Sequence, residues 1–183
     1  LYLAASGQRA PDSLQLVAVG GARVDSAALT MARQLGLPAC EGYGLTECGS
    51  VVSLNLAGAE SETGGDVGMP LAHVQISVVD GEIRIASRAF LGYLQAGAEP
   101  PSSTFQTGDL GYLDARGHLH LSGRRKNLPI TSFGRNISPE WVEAALLAQP
   151  AIRQAVVSGD AQAWLASILV AMPGADDHAL AAA

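Results

Sequence analysis

Four short stretches hold residue types that can do chemistry: VGGAR (19–23), EGYGLTECGS (41–50), TGD (107–109) and RRK (124–126). In the second, the acid Glu47 follows two glycines and a hydroxyl. Tyr43 offers a flat ring, Thr46 a hydroxyl suited to a phosphate, and Glu47 a hard oxygen ligand suited to magnesium. The same letters also make a solvated polar turn with a capping hydroxyl. Gly20 and Gly21 let a backbone approach a flat ligand, because glycine lacks the Cβ that would block it. They equally suit a plain strand-to-helix turn. Asp109 can accept two hydrogen bonds side by side, as a pair of sugar hydroxyls would offer, or it closes a Gly-Asp turn between strands. Arg124 and Lys126 read, on their own, as solvated charges beside a sheet edge and a linker.

The elements that must position these residues are legible in outline. LQLVAVGG (14–21) is apolar and β-branched, which predicts a buried strand. DSAALTMARQLG (25–36) predicts a helix capped by Asp25 or Ser26, with Leu29, Ala32 and Leu35 on one face and Gly36 at its end. PACEGYG then leads into the acidic loop. Strand, helix, strand is a parallel-sheet unit, and such sheets place ligands at the carboxyl ends of their strands.

From about Ser61 the texture becomes antiparallel. HVQISVVDGEIRIAS alternates about Asp80-Gly81, and GDLGYLDARGHLHLSG does so about Arg116-Gly117. These predict two hairpins in a barrel-like subdomain, with LQAGAEPPSSTF as an exposed loop between them. Beyond Gly123, LPITSFG predicts a short strand. Asn136 and Ser138 precede a helix with Pro139 in its first turn, running to about Ala148, and IRQAVVSG and WLASILVAM predict two more strands. The expected fold is α/β and α+β. It comprises the end of a parallel α/β subdomain (1–60), an antiparallel β subdomain (61–125) and a small α+β carboxyl-terminal domain (126–183).

Composition narrows the function. A net charge of −6, with one short basic run at Arg124-Arg125-Lys126, argues against nucleic acid as a partner. Cys40 and Cys48 make neither a disulfide framework nor a zinc site, and the default expectation is a cytoplasmic protein with free thiols. No apolar run approaches the roughly 20 residues of a membrane-spanning helix.

Taken in order, the glycine pair, GYGLTE, TGDLGYLD and GRRKNLPITSFGRNISPEWVE resemble the adenylate-forming superfamily, which contains acyl-CoA synthetases, carrier-protein adenylation domains and luciferases. The last stretch is the most specific, and AIRQAVVSGD followed by WLASILV is similar to the tail of long-chain fatty acyl-CoA synthetases. The resemblance implies joining of a small-molecule carboxylic acid, expected to be a fatty acid, to ATP with Mg²⁺, and attack of CoA on the resulting acyl-AMP. A carrier protein as acceptor, and a non-catalytic nucleotide- or acyl-binding descendant, are the alternatives. By resemblance, Gly20, Gly21 and Ala22 lie along the adenine, with Tyr43 on its other side and Gly44 beside it. Thr46 reaches the phosphates, Glu47 holds Mg²⁺, and Asp109 and Arg124 grip the ribose. Lys126 is the hinge of a mobile terminal domain, and Gly134 belongs to the loop that approaches the thiol channel. Phe133 and Pro129 depart from the pattern, standing where long-chain relatives commonly carry Gly and Ile. The resemblance puts a phosphate loop upstream and a catalytic lysine downstream of this chain. The expectation is therefore a fragment that is inactive alone and able to self-associate through uncovered sheet edges.

Overall fold

The computed structural model describes residues 8–56, 66–87, 92–94, 104–134 and 137–175. The loop expected over LQAGAEPPSSTF falls almost wholly outside them. The chain divides into two units, residues 1–122 and 123–183.

In the first unit, β1 (Val17–Val19) feeds α1 (Ser26–Gln34), which returns to β2 (Ala39–Tyr43). β1 and β2 pair in parallel, Val17 opposite Ala39 and Val19 opposite Glu41. Asp25 starts the helix: its carboxylate accepts from the backbone N–H groups of Ala27 and Ala28, which have no partner inside the helix. Leu29 is the helix residue that buries fully, and Gly36 ends the turn with φ of +81°. β1 is shorter and more exposed than expected, with Leu14 and Leu16 at 37% and 46%. The reason is topological: β1 is the outer strand in the order β1-β2-β3-β4, so it is paired along one edge. β3 (Ser53–Leu54) and β4 (Met69–Pro70) complete this sheet in antiparallel register.

A second sheet has the order β5-β6-β7-β8, built from β5 (Gln75–Val79), β6 (Glu82–Ala86), β7 (Phe105–Leu113) and β8 (Leu119–Arg124). Both expected hairpins form. Asp80 and Gly81 turn the first with φ of +50° and +74°, matching a tight turn whose twist suits the flanking strands. The sheet is open among the described residues: four strands cannot tilt and stagger enough to close a barrel around packed side chains. Val52, Val67, Val74, Ile83, Ile85 and Leu119 bury together, and Cys48 joins them from the acidic loop.

A buried polar pair sits inside this unit. His118 Nδ1 lies 2.8 Å from Asp66 Oδ1, each residue 1% exposed, and the same oxygen accepts from the Gly68 N–H. Backbone bonds from Val67 N to Leu119 O and from Leu119 N to Gly68 O tie 66–68 alongside the start of β8. Asp66→Ala leaves the imidazole buried without its carboxylate, and should lower unfolding free energy by about 2–3 kcal/mol. A urea midpoint equal to wild type in that variant would contradict the assignment.

In the second unit, α2 (Pro139–Leu147) packs on β9 (Ile152–Ser158), which pairs antiparallel with β10 (Ala166–Ala171). A helix across a two-stranded ribbon supplies the burial that the ribbon lacks alone. The expected strand over LPITSFG does not form. Ile130 makes an isolated bridge, and Gly134 N bonds to Thr131 O in a turn. Pro129 has no N–H to give a ladder, which leaves that segment without regular pairing.

Candidate functional site

The carboxyl ends of β1 and β2 meet a closed loop, and a cleft of about 360 Å³ opens between them. Ala18 to Gly21 line one wall; Gly42 to Thr46, with Ser50 and Val51, line the other. This is where parallel strands leave their N–H and C=O ends pointing outward, the usual ligand position in such sheets. Its volume falls within the range of small-molecule sites.

Close backbone approach builds the cleft. A Cβ on Gly20 would stand 2.6 Å from Gly42 O, so the end of β1 can reach β2 only as glycine. A Cβ on Gly44 would overlap the Ser50 carbonyl oxygen, so the two limbs of the loop touch backbone to backbone. Val52 N donates to Tyr43 O at 2.8 Å across the neck, and Ser50 N and Cys48 N both donate to Leu45 O. Within the loop, Thr46–Cys48 form one turn of 3-10 helix. Cys48 is 2% exposed and anchors that turn in the core, which leaves the adjacent Thr46 and Glu47 outside it. Glu47 is thus held outside the core by a buried thiol next to it.

Tyr43 and Asp109, 66 residues apart, meet: the phenol donates to Asp109 Oδ2 at 2.6 Å. Burial, and then the bond to this carboxylate, push the phenol far above its ordinary range, so it stays a donor. Asp109 is 8% exposed and is aimed by an irregularity in β7. The β6–β7 register shifts between Glu82 and Arg84, and Thr107, Gly108 and Asp109 bulge against Ile83. Thr107 Oγ1 donates to Ile83 O and accepts from Asp109 N, while Glu82 Oε1 accepts from Gly108 N. TGD is therefore a pinned bulge inside a strand, and no turn between strands.

Glu47 Oε1 accepts from the Tyr93 hydroxyl at 2.9 Å. Among the described residues, the other carboxylate oxygen has no partner. No group of three or more His, Cys, Asp or Glu able to hold a metal occurs among them either, so Glu47 stands as a single hard-oxygen donor. Magnesium suits such a place, because it is commonly held by one or two carboxylates together with substrate phosphates.

Gly20, Gly21, Tyr43, Gly44 and Thr46 line the cleft together. Asp109 joins it through Tyr43, and Glu47 sits next to Thr46. Ala22 follows Gly21 and is exposed outside the lining. Arg124, Lys126 and Gly134 belong to the second unit. There Arg124 ends β8 and is exposed, and Lys126 lies in the 3-10 turn Arg125–Asn127. That turn is fastened to the start of α2, since Asn127 Nδ2 and Ser138 Oγ donate to the two carboxylate oxygens of Glu140. Gly134 is exposed with φ of +72°, beside Phe133 at 74% exposure.

Sequence reasoning missed three participants. Tyr93 and Thr107 are ordinary polar residues whose partners lie on other elements. Glu41, in β2, accepts from Val24 N at 3.2 Å and so ties the strand to the chain entering α1; burial raises its carboxyl above the usual range. For Thr107 a signal existed, because a glycine within a strand pattern marks a bulge.

Comparison with known proteins gives a consistent picture. Residues 2–88 match the family described as AMP-binding enzyme. The chain is 36% identical over 173 residues to a 2-succinylbenzoate–CoA ligase of Bacillus velezensis, covering 86% of this chain and 35% of that one. It is 35% identical over 162 residues to the long-chain-fatty-acid–CoA ligase FadD15 of Mycobacterium bovis, covering 85% and 27%. Among solved structures, o-succinylbenzoate CoA synthetase from Bacillus subtilis with ATP and magnesium ion aligns at a TM-score of 0.81 and 31% identity, over 93% of this chain and 39% of that one. The same enzyme in complex with the acyl-adenylate intermediate OSB-AMP aligns at a TM-score of 0.82 and 29% identity, again over 93% and 39%. The chain spans about a third of the length of the curated relatives it matches. A paired set of parallel strand ends, a pinched acidic loop and a bulge-borne aspartate, together with these likenesses, place the chain in the AMP-binding, adenylate-forming family of enzymes.

Proposed function

We propose that this chain is the nucleotide-gripping part of an ATP-dependent carboxylic acid–CoA ligase, working within a longer polypeptide. The observation that carries the reading is the meeting of Tyr43 and Asp109 at the cleft formed by Gly20, Gly21 and the Tyr43–Thr46 loop. In this reading the flat wall from Gly20 through Ala22 and the ring of Tyr43 bracket the adenine. Asp109, oriented by the phenol and by Thr107, takes a ribose hydroxyl, and Arg124 keeps the ribose role that the family resemblance implies for it. Thr46 donates its hydroxyl to a phosphate oxygen. Glu47, with one oxygen held by Tyr93, would hold Mg²⁺ through the other, and the bound ion would offset charge on the phosphates. The catalytic contribution of these residues is positioning and charge compensation, because the carboxylate substrate and ATP carry like charge and meet poorly in water. Lys126, within a turn that Glu140 clamps to α2, keeps the hinge role that the resemblance implies, and Gly134 belongs to the loop that the thiol approaches.

The acid is a separate matter. Relatives of nearly equal identity are named for a succinylbenzoate and for long-chain fatty acids, so the fatty-acid expectation rests on the tail segment alone. The test is ATP–pyrophosphate exchange by the whole ligase, with aromatic and long-chain acids offered in parallel, followed by addition of CoA. Acid-dependent exchange and a CoA thioester are the expected results, and the responding acid identifies the class. Absence of acid-dependent exchange, with nucleotide bound and the protein folded, would overturn the reading.

A further inference from the structure

Glu47 has a partner that the family resemblance did not supply. Tyr93 lies 46 residues further along, and its hydroxyl donates to Glu47 Oε1 at 2.9 Å. The phenol is 57% exposed, so packing does not force it there. The contact has two consequences. The backbone of Glu47 is already fixed by the 3-10 turn that Cys48 anchors. A donor on one carboxylate oxygen then fixes the rotation of the head group. Because that donor is a neutral hydroxyl, the carboxylate keeps its charge for a cation, which a lysine or arginine in the same place would cancel. Glu47 has no such ion pair among the described residues.

We propose that Tyr93 is the positioning residue for Glu47, holding its Oε1 so that Oε2 faces a divalent cation. The proposal rests on the reading of Glu47 as a magnesium ligand. Groups that orient a metal ligand typically carry 10- to 100-fold of metal affinity or activity. The substitution that isolates this is Tyr93→Phe, which deletes one hydroxyl from an exposed ring and leaves the fold intact.

The experiment measures Mn²⁺ binding to the whole ligase by electron paramagnetic resonance, with α,β-methylene-ATP present so that no turnover occurs. Wild type, Tyr93→Phe, Glu47→Gln and the double variant are compared. The expected result is a dissociation constant raised about 10-fold in Tyr93→Phe, with no further change when it is added to Glu47→Gln. The Mg²⁺ requirement of pyrophosphate exchange should rise by the same factor, while the nucleotide affinity without metal stays as in wild type. Unchanged Mn²⁺ affinity in Tyr93→Phe, with weakened binding in Glu47→Gln, would overturn the positioning role and leave the metal reading standing. Additive losses in the double variant would likewise overturn it, because Tyr93 would then act independently of Glu47. Unchanged binding in Glu47→Gln would overturn both.

Discussion

On the proposed function, Glu47→Gln in the full-length protein should slow acyl-adenylate formation by about 10² or more and leave the unfolding free energy within roughly 0.5 kcal/mol of wild type. The amide has nearly the same shape, and its carbonyl oxygen can still accept from Tyr93. What it lacks is the charge. The loop itself does not need that charge: Cys48 anchors it, and its bonds run from Val52 N to Tyr43 O and from Ser50 N to Leu45 O. Stability and rate should therefore separate. The comparison variant is Glu47→Asp, which keeps the charge and draws it back by one methylene, out of reach of the Tyr93 hydroxyl. It should fall between the two in rate, with a raised Mg²⁺ requirement. The measurement is single-turnover acyl-AMP formation alongside a urea titration. Full turnover in Glu47→Gln would remove the cation from the account of this loop.

The parts of the fold that could be read in the sequence are those fixed by neighbours along the chain. The parallel β1-α1-β2 unit follows from a β-branched run, an Asp25 cap and a glycine stop, all local signals. The hairpins follow from Asp80-Gly81 and Gly117, whose positive φ values a tight reversal requires. Over LPITSFG the composition suggested a strand, but pairing is a property of two segments, and one segment's letters do not reveal its partner's register. The barrel-like antiparallel subdomain is present as an open four-stranded sheet among the described residues, and its openness was not legible because closure depends on strand number and stagger. The site divides along the same line. The members of the cleft wall were legible because they sit in contiguous motifs. Asp66 with His118, and Glu47 with Tyr93, are 52 and 46 residues apart, and nothing in either local sequence announces the other. Asp109 was legible as a candidate, yet the bulge that aims it was not, because the register shift belongs to β6 as much as to β7.

Gly44→Ala should disable the site through the backbone. Its new methyl would overlap the Ser50 carbonyl oxygen and stand 2.9 Å from Val51 Cα, and these are main-chain atoms with no rotamer to change. Relief requires the two limbs of the loop to part, which strains the Val52 N to Tyr43 O bond at the neck and moves Thr46 and Glu47 with it. Forced overpacking commonly costs 1–3 kcal/mol and more where backbone must shift, so a loss of about 3 kcal/mol is expected. The informative control is Gly49→Ala in the same loop. Gly49 has φ of +80° and nothing within 4 Å of an added Cβ, so that variant bears backbone strain alone, roughly 1–2 kcal/mol. Calorimetric titration with α,β-methylene-ATP should show nucleotide binding lost in Gly44→Ala and largely kept in Gly49→Ala. Equal stability and equal binding in the two variants would mean that the loop tolerates separation of its limbs. The pinch between Gly44 and Ser50 would then have no part in shaping the cleft.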